Sequence, residues 1–118
     1  MPTPITLTTH EVVIPAVLND TVAALEFKKR LPLKLSGYRS EMDYCCHAAC
    51  GVFDPAQTQS GWKNGDISLA GGWFAIFIDG EKRSKDYRGL MVIAHLDPEA
   101  LEQVRALPES VRFVIELA

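Results

Sequence analysis

The chain has 118 residues, 47% apolar and 23% charged, with a net charge of −3; that bounds it to one domain, residues 1–118, with a single core, and excludes a disordered or collagen-like chain. Its scattered cations lack the basic footprint of a nucleic-acid binder, and its longest apolar run, Trp73 to Ile78, is too short to cross a bilayer. Met1-Pro2-Thr3-Pro4 shows no secretory leader, and three cysteines, two of them adjacent, suit a reducing cytoplasm better than a disulfide framework.

Ile5 and Leu7 alternate with Thr6 and Thr8, the period of a half-buried strand. Thr9-His10-Glu11 reads as a hairpin turn, which leaves His10 solvated. Val12, Ile14, Ala16 and Leu18 form the return strand. Pro15 has no N–H for a ladder, so that strand should be an edge or carry a bulge there. Asn19-Asp20-Thr21 supplies cap residues for a helix from Thr21 to Arg30, with Lys28, Lys29 and Arg30 at the negative end of its dipole and Pro32 forbidding continuation. Leu33 and Leu35 start another strand.

Gly37 to Asn64 lacks a clean period and reads as a short strand near Tyr44 followed by a long loop, the kind of segment that often carries function. Ile67 and Leu69 mark a strand, Gly71-Gly72 a two-residue hairpin, and Trp73 to Ile78 a buried strand in which Trp73 packs. Asp79-Gly80 is a turn, and Glu81 to Arg88 reads as polar and mobile. Met91 to His95 is a strand. Asp97-Pro98-Glu99 opens a helix whose apolar stripe is Leu101, Val104 and Leu107, and Pro108 ends it. Val111, Phe113, Ile115 and Leu117 alternate along the last strand.

Many short strands and two short helices argue against a doubly wound sheet. They fit a mainly β fold, a closed or nearly closed antiparallel barrel, because closure removes exposed edges.

Three blocks in this order carry a resemblance: Asn19-Asp20-Thr21 with Ala23-Ala24, Phe27 and Leu31-Pro32-Leu33-Lys34-Leu35; Gly61-Trp62, Gly65-Asp66-Ile67 and Trp73-Phe74-Ala75-Ile76-Phe77; and Ser84, Tyr87 and His95-Leu96-Asp97. Together they resemble the small bacterial cyclophilin-like domains, a family of cyclophilin-type barrels without a settled function. The resemblance implies that barrel and no particular chemistry. Prolyl isomerases of the wider fold use an Arg from a Phe-His-Arg segment and a Gln-Gly-Gly-Asp segment. Neither occurs here, and Phe27-Lys28-Lys29-Arg30 falls on the expected helix.

Candidate chemistry is sparse. Cys45-Cys46-His47-Ala48-Ala49-Cys50 offers thiol and imidazole ligands, but it lacks the Cys-x-x-Cys spacing of zinc and redox sites, and small buried cysteines explain it as well. The carboxylates, Asp66 and Asp79 among them, read as turn residues beside glycines. Aromatic rings in the irregular region suit a pocket wall at a barrel mouth.

The expected site lies between the Tyr38–Trp62 loop and the Glu81–Tyr87 loop. Tyr44 and Trp62 supply apolar contact, and Arg83, Tyr87 and His95 polar contact. The expected ligand is a small molecule or peptide segment, with no cofactor, nucleic acid or membrane involved. A diverged prolyl isomerase, a metal or redox protein built on the cysteine cluster, and a module pairing through the Pro15 strand, as in a homodimer, remain open.

Overall fold

A computed structural model describes residues 2–118. Eight strands form the frame: β1 (Thr3–Thr9), β2 (Val12–Leu18), β3 (Leu33–Arg39), β4 (Asp43–His47), β5 (Asp66–Ala70), β6 (Trp73–Phe77), β7 (Val92–His95) and β8 (Ser110–Leu117). They close into a barrel in the order β1-β2-β7-β5-β6-β4-β3-β8, and every neighbouring pair is antiparallel. The expected mainly β barrel is thus the fold.

Two α-helices, α1 (Val22–Lys28) and α2 (Pro98–Arg105), cover opposite ends. The first joins the end of β2 to the start of β3, and the second joins the end of β7 to the start of β8. Thr21 caps α1 by accepting from the Ala24 N–H at 3.2 Å, and Asp97 caps α2 by accepting from the Ala100 N–H at 2.8 Å. Helix α1 is shorter at both ends than the residue pattern predicts, because Thr21 is its cap and Lys29 already closes it.

Alternation along the strands fills the interior. Ile5 and Leu7 face in from β1, Ile14, Ala16 and Leu18 from β2, and Val111, Phe113 and Ile115 from β8. Phe27 of α1 stacks on Phe74 of β6 with ring centroids 5.6 Å apart. Each such fully buried side chain contributes roughly 1.5–3 kcal/mol. Gly37 lets β3 approach β4: a Cβ there would lie 2.2 Å from the Cys45 carbonyl oxygen and 2.6 Å from Cys46 Sγ.

Pro15 sits where a proline can. The Thr9–Val12 pair closes a two-residue turn at His10 and Glu11, both with positive φ, and hydrogen-bonded pairs alternate from there. The Thr6–Pro15 pair is therefore one that exchanges no ladder bonds. On its other side β2 meets β7 only through Val17–His95 and Leu18–Ala94, so Pro15 occupies a local edge within a closed barrel.

Two expectations need correction. Glu81 to Arg88 is not a loose polar loop: Glu81–Asp86 forms a 3₁₀ helix anchored by the buried Ser84. Trp73 is not a core residue; it faces outward at the start of β6, 41% exposed, with its ring 4.3 Å from that of its cross-strand partner His47. Among the described residues no helix is long and apolar enough to cross a membrane.

Candidate functional site: a groove on the outer wall

Outward residues of β6 create a second apolar cluster outside the barrel. Ala75 and Phe77 point away from the core and are covered by Trp62, Met42 and Leu90. After β4 the chain first runs beside α1, where Arg30 donates to the Ala49 and Cys50 carbonyls and Gln57 accepts from the Val22 N–H; residues 59–64 then return over this face, with Trp62 as the anchor. Its ring lies on Phe77 with centroids 4.2 Å apart, and Tyr87 leans against it from outside at 5.2 Å. The indole N–H donates to the Asp79 carbonyl at 3.0 Å.

Ser84 stitches the two wrapping segments together. Its hydroxyl accepts from the Trp62 N–H at 2.9 Å and donates to the Glu81 carbonyl at 2.7 Å. Further ties are the Gly61 N–H to the Tyr87 carbonyl at 2.8 Å, the Asn64 N–H to the Glu81 carboxylate at 2.8 Å, and the Gln59–Leu90 bridge. Gly80 enters the 3₁₀ helix at φ 87°, and a side chain there would strike Met42 and Trp62.

Between residues 59–64 and 79–85 lie two adjoining open cavities of about 480 and 540 Å³, which share Glu81 and Lys82. Lys63, Lys82, Arg83 and Lys85 line them, against Asp79 and Glu81. Among the described residues none of those four cations has an ion-pair partner. The groove is therefore locally cationic on a chain of net charge −3.

The five residues expected to form the site divide. Trp62 and Arg83 line the groove, and Tyr87 rests on Trp62. His95 stands apart: its Nδ1 is 2.6 Å from an oxygen of the buried Asp66, whose other oxygen accepts from the Lys63 N–H at 2.9 Å. It is thus tied to the groove's edge through one carboxylate, with its side chain 53% exposed. Tyr44 is not brought to the groove at all. It is 0% exposed inside the barrel and donates its hydroxyl to the carbonyls of Leu107 at 2.9 Å and Pro108 at 2.7 Å. Burial raises its pKa, partly offset by the nearby Arg39 guanidinium.

The cysteine cluster is split by the strand pleat. Cys46 points into the core, Cys45 lies on the outer face and Cys50 is exposed beyond the end of β4; all three are free thiols. Cys45 donates to the Asp43 carboxylate at 3.2 Å. Burial, then the bond to that carboxylate, pushes the Cys45 thiol up to about 12; burial, then the charges of Cys45 and Asp43, does the same for Cys46. Among the described residues no three His, Cys, Asp or Glu side chains are placed to hold one metal ion.

In the sequence Asp66 reads as a turn residue and Ser84 only as part of the resemblance, and neither carries a site role there. Their roles come from the Asp66–His95 and Ser84–Trp62 bonds, across 29 and 22 residues of chain, which local patterns do not display. The one available signal was the density of charge from Glu81 to Arg88.

With barrel and groove in place, comparison with known sequences identifies the class. The chain matches the cyclophilin-like family over residues 7–116, and it belongs to that family. No curated protein matches it significantly.

Proposed function

We propose that the protein is a binding module that takes a small molecule or peptide segment in the outer groove between residues 59–64 and 79–85. The observation that carries this reading is the pair of adjoining cavities, each in the range of small-ligand sites, walled by segments that are pinned from beneath. Trp62 and Ser84 hold the walls, so the groove exists before a ligand arrives and little ordering has to accompany binding. Lys63, Lys82, Arg83 and Lys85 favour a ligand with an anionic group. Tyr87, half exposed beside Trp62, offers a ring at the rim. Three free thiols support a cytoplasmic setting.

The test is a thermal-shift screen of metabolites and short proline-containing peptides against wild type and a Lys82→Glu/Arg83→Glu variant. The reading expects compounds that stabilise wild type and lose that effect on the variant. A screen in which nothing distinguishes the two proteins contradicts it.

A further inference from the structure

A different cavity, at the barrel mouth beside α2, is lined by a guanidinium, Arg39, that no carboxylate among the described residues pairs with. Leu33, Leu35 and Gly37 of β3 face inward, and Arg39 continues that row. The strand therefore delivers a guanidinium to the rim of the interior, with Cζ 5.4 Å from the Tyr44 ring centroid. Its Nη2 donates to the Arg105 carbonyl oxygen. Its Nε is buried with no acceptor. Its Nη1 makes no hydrogen bond among the described residues.

The cavity it lines has a volume of about 430 Å³ and is bounded also by Ser40, Glu41, Ile78, Asp79 and Arg105. Arg105 is a second cation, locked in place by the Ile78 carbonyl at 2.7 and 3.1 Å and by Glu102 at 2.7 Å. Among the described residues no carboxylate pairs with Arg39. Ser40 binds Asp43, and the Asp79 carboxylate accepts from the Gly80 N–H at 2.8 Å.

A partly buried guanidinium without an anion is costly, and that cost persists only where something offsets it. We propose that this mouth cavity is an oxyanion site, in which Arg39 binds the carboxylate or phosphate of a small molecule, with the Glu102-paired Arg105 forming the opposite wall. Fork-shaped pairing of guanidinium with such groups is the strong form of this contact. Glu41 and Asp79 at the rim repel extended polyanions, so the occupant carries one anionic group. The site shares only Asp79 with the outer groove and does not depend on the groove's being a ligand site.

The experiment titrates wild type, Arg39→Met, Arg39→Lys and, as a charge control away from both cavities, Lys34→Glu with sodium phosphate or sodium acetate against sodium chloride of equal ionic strength, reading melting temperature and the Arg39 Nε–H NMR signal. Wild type and Lys34→Glu should gain stability from phosphate, acetate or both beyond chloride, and the Arg39 signal should move in wild type. Arg39→Met, which keeps the aliphatic stem, should lose the anion response while melting no lower than wild type in anion-free buffer. Arg39→Lys should bind about tenfold more weakly, because the fork is gone. An equal anion response in wild type and Arg39→Met, or an Arg39 signal in wild type unmoved by both anions, overturns the proposal. If Arg39→Met does not fold, the wild-type NMR signal decides alone.

Discussion

Trp62 lies flat on Phe77, their rings 4.2 Å apart and within 10° of parallel, on the outside of a barrel wall. This contact separates the stability of the groove from that of the barrel, since Trp62 belongs to the outer apolar cluster and not to the core. Trp62→Ala should cost about 3 kcal/mol by loss of stacking and the indole hydrogen bond. Hydrogen exchange checks where that cost falls: amides of residues 81–87 should lose protection well before those of β1 and β8.

Tyr44 illustrates the opposite case, a residue that builds the barrel's closed end. Its hydroxyl is the donor that satisfies the Leu107 and Pro108 carbonyls where α2 gives way to β8. Tyr44→Phe keeps the ring and removes the donor, so it should lower unfolding free energy by about 1–2 kcal/mol. Denaturant unfolding measures this, and the response of the outer groove to any ligand should stay unchanged.

The thiols should report their surroundings. Cys50 is exposed, Cys45 half-buried and bonded to Asp43, and Cys46 buried. At pH 8 a disulfide-exchange reagent should modify one thiol quickly, a second slowly, and Cys46 only on unfolding, because the thiolate is the reacting species. The same shifts set an alkaline limit. Folding raises both thiols from 9.0 to about 12, so the folded state holds protons that the unfolded chain releases. Their contribution is complete below pH 9 and should fall progressively between pH 9 and 12 in urea titrations across that range.

Gly37 should tolerate no side chain. A methyl group would meet the Cys45 backbone, which cannot rotate away. Gly37→Ala should destabilise the protein by about 2–3 kcal/mol through forced separation of β3 and β4. Thermal unfolding gives the loss, and weakened amide protection on β4 would locate it.

The barrel was legible in the sequence because its strands are half-buried and alternate. Ile5, Leu7, Ile14, Val111, Phe113 and Ile115 announce which face is inside, and Gly71-Gly72 and Asp97-Pro98 mark the turns and caps. The site was less legible, for a physical reason. Tyr44 sits in a stretch that looks irregular, yet strand pairing to Arg39 and Ile76 turns its ring inward. Trp73 sits in an apolar run, yet pleat parity turns it outward. Ser84 lies in a run of charges, yet it is the residue that Trp62 and Glu81 close around. For Tyr44 and Ser84 a partner distant along the chain decides the direction, for Trp73 its place in the pleat does, and local composition carries neither.

The most direct test of the binding-groove account is an amide chemical-shift map of the ¹⁵N-labelled protein, taken with the best compound from the metabolite and peptide screen. The account predicts shifts concentrated in residues 59–64 and 79–85, with the Trp62 indole N–H among them. Shifts centred instead on the exposed face of β2, or on the His47–Trp73 face, with the groove unmoved, would contradict it.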